Sequence, residues 1–338
     1  MTLIICQNHL YKIIIASIRC HTFGNLYVYL SVPCKSCELE PVISRRYSGE
    51  ILCRKCFFRS FEKNVDRELR NQINRLSSSS ELKINRIGVG LSGGKDSTVS
   101  LHILNMYSRN RGIDLIALCV DEGIEDYRSE SLEYAKKQCS DLDVEIRISS
   151  YKDLIGMTLD ELLRKAPPVA SPCSPCGVLR RRSLNNMAKS ANVDCMVLGH
   201  NLDDFSQTVL MNHSRGDVSR LVRMAPHRHV QSGFVPRLLP LRRLPEQEVY
   251  LYAFLKGMNF HDGDCPYAGK AQRNLFRKML LELENKQPGT RHSLLNGMEK
   301  IRENSPAPSE LSSCPSCGEP SGGDRPCVFC REFGSFAV

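Results

Sequence analysis

The chain lacks tryptophan altogether, shows no internal repeat, and has no apolar run approaching the roughly 20 residues that cross a bilayer. A polytopic membrane protein is thereby excluded. Glycine and proline, 22 and 17 of 338 residues, are too few and too scattered for a collagen-like or low-complexity chain. Acid is missing from residues 1–33, where Lys12 and Arg19 are the formal charges and apolar runs such as Ile13 to Ala16 stay short. That stretch has neither the Arg-rich amphipathic pattern of a transit peptide nor a small-residue cleavage site before Pro33, and it reads as a dispensable or wrongly predicted extension. The remaining composition, 41% hydrophobic and 25% charged, is that of an ordinary soluble protein. The length suffices for about two domains at roughly 100–200 residues each.

Cysteine is the surplus. Sixteen would suit a small secreted disulfide scaffold, but a chain this long buries a core without crosslinks. Eight of them form four Cys-x-x-Cys pairs near the ends, a pattern of metal proteins. Cys34-Lys-Ser-Cys37 is followed after fifteen residues by Cys53-Arg-Lys-Cys56, and Cys314-Pro-Ser-Cys317 after nine by Cys327-Val-Phe-Cys330. Each set offers four thiolates in a closed tetrahedron, a structural zinc site with no open coordination position. Ser48-Gly49-Glu50 supplies a hairpin turn in the first, and Gly318, Gly322 and Gly323 supply turns in the second. Apolar residues recur at helical spacing from Phe57 to Leu76, Ser77 to Ser80 reads as a linker, and 303–313 is a second break. The expected organisation is a zinc finger and helix over 34–76, a central domain over 81–302, and a second zinc finger over 314–330.

Asn85-Arg-Ile-Gly-Val-Gly-Leu-Ser92-Gly93-Gly94-Lys95-Asp96-Ser97 runs an apolar strand into a glycine pair and a helix, the arrangement that turns backbone N–H groups toward a phosphate. It is not a Walker A loop, because Val89 stands where that motif needs glycine and Asp96 follows the lysine. Downstream, strand and helix patterns alternate from Asp114 to Asn212, which predicts an α/β fold with a doubly wound parallel sheet and a ligand beyond the carboxyl ends of its strands. Asp121-Glu122-Gly123-Ile124 falls at one such end and Gly199-His200-Asn201-Leu-Asp203-Asp204 at another. Asp203 and Asp204 also suit a helix N-terminus, but at this position one of them is expected to face nucleotide and Mg²⁺, and Asp204 is the better candidate.

Cys173-Ser-Pro-Cys176 has no second pair nearby, and the next cysteine in a motif-like setting is Cys265 in Gly-Asp-Cys-Pro-Tyr. Three thiolates suit an iron–sulfur cluster with one iron left open, or alternatively a persulfide carrier with a resolving thiol. Cys119, Cys139 and Cys195 fall in predicted strands and helices and read as buried inert thiols.

The order of zinc knuckle, Ser-Gly-Gly-Lys-Asp-Ser (92–97), Val-Asp-Glu-Gly-Ile (120–124), Cys-x-x-Cys-Gly-Val-Leu-Arg-Arg-Arg (173–182), Gly-His-Asn-x-Asp-Asp (199–204), Cys-Pro-Tyr-Ala (265–268) and a final knuckle resembles the tRNA 2-thiolation family of the ATP pyrophosphatase superfamily. The likeness is nearest to the catalytic subunits that thiolate the wobble uridine in the cytoplasm. It implies the adenine nucleotide α-hydrolase-like fold and a reaction in which ATP adenylates O2 of a uridine and sulfur displaces AMP. It further implies that Ser92, Gly93, Gly94, Lys95, Asp96 and Ser97 bind phosphates, with Asp121, Gly199 and His200 around the nucleotide. Asp96, Asp204 and Arg180 then serve the reaction centre, and Cys173, Cys176 and Cys265 hold a [4Fe–4S] cluster. A ubiquitin-like sulfur carrier with a C-terminal thiocarboxylate, a non-catalytic paralogue, ATP with Mg²⁺, two structural zinc ions and a homodimer or heterodimer complete the picture. Related thiolases act on a T-loop uridine or a cytidine, and amide-forming ligases share the ATP chemistry without needing the three cysteines. Asp126 occupies a place where the family pattern has glycine.

Residues 171–300 hold 19 Lys plus Arg against 11 Asp plus Glu, so 19 − 11 = +8 of the net +9 lies there. Such an excess suits RNA phosphates, with Arg180, Arg181, Arg182, Arg220, Arg223, Arg242 and Arg243 as the candidates.

Overall fold

The computed structural model describes residues 32–165, 171–306, 311–322 and 325–334. Most of the extension over 1–33, and Gly323, lie outside the described residues. The chain opens with β1 (Pro41–Arg45) and β2 (Glu50–Cys53), an antiparallel hairpin whose turn closes at Gly49 with φ +67°. α1 (Arg54–Ser80) follows directly from Cys53 and buries Phe57, Phe61, Val65, Leu69 and Leu76 along one stripe.

The serine run is the last turn of α1 and not a linker. Leu76 anchors it in the core, the Ser79 and Ser80 hydroxyls donate to the Leu76 carbonyl, and Ser77 donates to the Leu82 carbonyl. The Ser79 and Ser80 hydroxyls fold back on the last turn, which the Glu81 N–H closes by donating to the Ser77 carbonyl. Glu81, at φ +53°, ends the helix.

The central sheet is formed by β3 (Arg86–Gly90), β4 (Asp114–Asp121), β5 (Glu145–Ser150), β6 (Cys195–Val197) and β7 (Arg237–Leu238). All are parallel, in the order β5-β4-β3-β6-β7. α2 (Lys95–Arg109) and α3 (Arg128–Leu142) connect the first strands. α4 (Tyr151–Ile155), α5 (Leu159–Lys165) and α6 (Cys173–Ser190) carry the chain from the β5 edge back to β6. α7 (Leu202–His213) and α8 (Val218–Val222) lead to β7. The chain winds outward in one direction from β3 and in the other from β6, so a crevice opens between their carboxyl ends. That topology sets Ser92–Ser97 against Gly199–Asp204.

One sheet face packs Ile116, Leu118 and Val120 against Leu179, Met187 and Ala188 of α6. The other packs Ile87, Val89 and Ala117 against Leu101, Leu104 and Ala135. Cys119, Cys139 and Cys195 are buried here as expected, and burial pushes the Cys119 and Cys139 thiols up to about 11 and about 12.

Beyond the sheet come α9 (Glu246–Leu255), α10 (Arg273–Lys286) and α11 (Thr290–Asn304), then β8 (Ser312–Ser313), β9 (Pro320–Ser321) and α12 (Val328–Phe333). Both cysteine-rich ends are built into the body. Arg45 of β1 meets Glu248 of α9 at 2.7 Å, and Phe329 and Phe333 of α12 join the core beside α6. Arg242, expected at an RNA surface, is 2% exposed and spans Glu68 at 2.5 Å and Glu299 at 2.7 Å. It ties α1 to α11, and Arg243 pairs with the same Glu68 at 3.1 Å. A count of charges could not see this, because burial is decided by residues 57 and 174 positions away. Among the described residues no helix is long and apolar enough to cross a membrane.

Candidate active site

After β3 the chain turns away through Gly93 at φ +88°, where a methyl group would sit 2.1 Å from the Ser131 carbonyl oxygen. Only glycine fits there. Gly94 then starts α2 in extended conformation without a side-chain cap, leaving the leading N–H groups of a 15-residue helix available to an anion. The hydroxyls brace this turn: Ser92 N donates to Ser97 Oγ at 3.1 Å, and the Ser97 and Thr98 hydroxyls each donate to the Gly94 carbonyl at 2.9 Å.

The acids assemble across the crevice. A β-carbon on Gly199 would lie 2.8 Å from the Asp96 carbonyl, so the exit of β6 presses directly on the first turn of α2. Asn201 caps α7 by accepting from Asp204 N at 3.1 Å and donates its amide to Asp96 Oδ1 at 3.1 Å. Asp204 faces this group and pairs with Arg273 at 3.1 Å, whereas Asp203 turns inward to Arg291 at 3.2 Å and to the Glu246 N–H at 2.8 Å. Lys95 is held by Glu246 at 2.8 Å and Asp96 at 3.1 Å, and these carboxylates outweigh its burial and raise its pKa. Burial pushes the Asp96 carboxyl up to about 6, with Asp204 adding to the shift and Lys95 and Asn201 opposing it. His200 is exposed beside them. Asp121, at the end of β4, accepts from Gly123 N at 2.9 Å and borders a cavity of about 850 Å³ shared with Arg128, Thr158 and Asp160. Asp126 adopts φ +56° on its rim, a left-handed conformation that the glycine expected at this place would adopt without strain.

Cys173 and Cys176 lie on the first turn of α6, the former exposed and the latter buried. Half-buried Cys265 packs against the core cluster that contains Cys176. Burial pushes the Cys176 thiol up against the pull of Arg180, and pushes Cys265 up against a hydrogen bond from the Tyr267 N–H. Arg180, one turn along α6, donates to Glu122 at 2.8 Å and reaches to 3.5 Å from Cys176 Sγ. Glu122 is 5% exposed and also meets Arg128 at 2.8 Å; Arg128 in turn donates to the Ser92 carbonyl at 2.7 Å. His261 N donates to the Gly93 carbonyl at 2.9 Å, so the segment leading to Cys265 hangs on the glycine loop itself. Glu122, Arg128, Glu246 and His261 were not singled out from sequence. Glu122 alone lay within a recognised motif.

At the knuckles, Cys37 Sγ lies 3.3 Å from Cys53 Sγ and 3.6 Å from Cys56 Sγ, and Cys317 Sγ lies 3.8 Å from Cys327 Sγ. A tetrahedral ion with 2.3 Å bonds to sulfur sets its ligands about 3.8 Å apart. Both four-cysteine sets therefore fit a single metal ion. Among the described residues they are the two groups whose ligand atoms all lie within 4.8 Å. Cys173, Cys176 and Cys265 do not form a group this tight.

A PP-loop domain profile matches residues 62–284. The chain is 37% identical over 315 residues to the tRNA 2-thiolation protein NcsA of Haloferax volcanii, covering 88% of this chain and 97% of that one. It belongs to the tRNA 2-thiolation family of PP-loop proteins. A plant member, cytoplasmic tRNA 2-thiolation protein 1 of Arabidopsis thaliana, is 36% identical over 289 residues, 84% of this chain and 79% of its own. The family also has a solved structure similar to this fold, the U34-tRNA thiolase NcsA from Methanococcus maripaludis with its [4Fe-4S] cluster. It aligns with a TM-score of 0.78 at 32% identity, over 91% of this chain and 98% of that one.

Proposed function

We propose that this chain is a cytoplasmic, ATP-dependent tRNA sulfurtransferase that converts the wobble uridine to 2-thiouridine. The observation that carries the reading is the linkage of the phosphate loop to the three-cysteine site through Arg128, Glu122 and Arg180. Uridine O2 attacks the α-phosphorus of ATP and pyrophosphate departs. A sulfur nucleophile then attacks C2, and AMP leaves with the original oxygen.

Ser92, Gly93, Gly94 and Ser97 with the N-terminus of α2 bind the phosphates, while Asp121, Gly199 and His200 border the nucleotide. Lys95 exchanges its carboxylate partners for departing pyrophosphate, Asp96 and Asp204 hold Mg²⁺, and Arg180 stabilises charge at the reacting centre. Cys173, Cys176 and Cys265 would ligate a [4Fe–4S] cluster, which supplies an iron open to a sulfur ligand. The two four-cysteine sets hold structural zinc. A ubiquitin-related carrier with a C-terminal thiocarboxylate delivers the sulfur, and the chain acts as a dimer, with itself or with a non-catalytic paralogue. Pyrophosphate release tests this reading: it should require tRNA and survive Cys265→Ala, while thiolation is lost. Thiolation at the wild-type rate by Cys265→Ala would overturn the role of the cysteines.

A further inference from the structure

The basic stretch separates into two kinds of arginine. Arg182, Arg228, Arg242, Arg243 and Arg291 each have a carboxylate within 4.0 Å. Arg181 and Arg237 have no ion-pair partner among the described residues, and Arg220 has Asp217, three residues before it, as its partner. These three come from separate elements. Arg181 folds back along α6, so that a β-carbon on Gly177 would lie 3.2 Å from its Nη1; Gly177 is the residue after Cys176. Arg237 begins β7 opposite Met196 of β6, the strand that runs on to Gly199 and His200. Its backbone is pinned by two hydrogen bonds with His227, yet its side-chain Nε is buried without a partner.

Arg181 feels the charge of Arg220, and Arg237 that of Arg181. Burial and then the repulsion of Arg180 and Arg220 lower the pKa of Arg181, and burial with the repulsion of Arg181 lowers that of Arg237 to about 10. Gathered cations with a buried unpaired donor cost folding stability, and an external anion would neutralise them. The phosphates of ATP already have the glycine loop and α2, and the cysteine site lies beside Arg181.

We propose that Arg181, Arg220 and Arg237 bind backbone phosphates of the RNA next to the reacting nucleotide. This inference rests on the tRNA reading above. Phosphodiester and free phosphate share the required chemistry, and the test separates them.

Full-length, anaerobically purified Arg181→Gln and Arg237→Gln are titrated with tRNA between 50 and 200 mM KCl. Each should weaken binding about tenfold, the scale of one charge-assisted hydrogen bond. The slope of log affinity against log salt should fall by about 0.7 for each single-strand phosphate left without its arginine. ATP affinity should hold, and the melting temperature should hold or rise, because a repelling charge is removed. Unchanged tRNA affinity and slope, with wild type binding normally, would overturn the proposal. So would weakened ATP affinity, or weakened affinity for inorganic phosphate at constant ionic strength while tRNA binding stays intact. Wild type that does not bind tRNA would instead overturn the proposed function.

Discussion

Glu122→Gln is the substitution through which the structure predicts most. The side chain of Glu122 is 6% exposed and that of Arg128 is 5% exposed, and they meet at 2.8 Å. Breaking a buried ion pair by removing one partner costs about 3–5 kcal/mol. Arg128 keeps the Val120 and Ser92 carbonyls and the Ser131 hydroxyl as acceptors, which places the cost near the lower end. At about 2–4 °C per kcal/mol for a unit of this size, an apparent melting temperature about 6–12 °C lower is expected. Arg180, the other partner of Glu122, is half-exposed, so Arg180→Gln should cost far less stability. Differential scanning fluorimetry of the metal-loaded variants measures both. Because Arg128 also holds the Ser92 carbonyl, calorimetric titration should find weaker ATP binding in Glu122→Gln. A melting temperature within about 1 °C of wild type would refute the buried-pair argument.

Three further outcomes follow from the site. Gly93→Ala puts a methyl group 2.1 Å from the Ser131 carbonyl at φ +88°, and should abolish measurable ATP binding in an equilibrium assay while leaving the metal content unchanged. Asp96 has a folded-state pKa of about 6 against an ordinary 3.8, so its contribution to stability is fully present below the lower value and is lost as pH rises through about 6. Asp96→Asn should therefore raise the melting temperature at pH 8, with a gain that fades as pH falls below about 6; no gain at pH 8 would count against the buried-carboxylate account. Metal analysis of anaerobically purified protein should give about two zinc and four iron per chain, and Cys265→Ser should lose iron and keep zinc. Zinc alone, with thiolation intact, would move the chemistry to a persulfide.

The elements legible in sequence are those written in contiguous residues. The glycine loop, the strand ends at Asp121 and Gly199, the hairpin at Gly49 and the two knuckles each carry their signal within about twenty positions. What escaped notice joins distant positions: Lys95 to Glu246, Gly93 to His261, and Glu122 to Arg180. A carboxylate 151 residues from a lysine has no local pattern, and only the sheet topology brings them together. The serine run misled because serine favours loops by composition, whereas here its hydroxyls bond back to the carbonyl of buried Leu76 within the helix. Arg242 misled for the converse reason, since net charge counts buried and exposed arginines alike.

On the proposed reading, this crevice adenylates and then thiolates one nucleotide. The decisive measurement is nucleoside mass spectrometry on tRNA incubated anaerobically with the metal-loaded protein, ATP, Mg²⁺ and sulfide. The expected result is 2-thiouridine at the wobble position, one AMP formed per base modified, and none in Asp96→Asn. Thiolation without ATP, or ATP cleavage in the presence of tRNA with no sulfur incorporated, would contradict it.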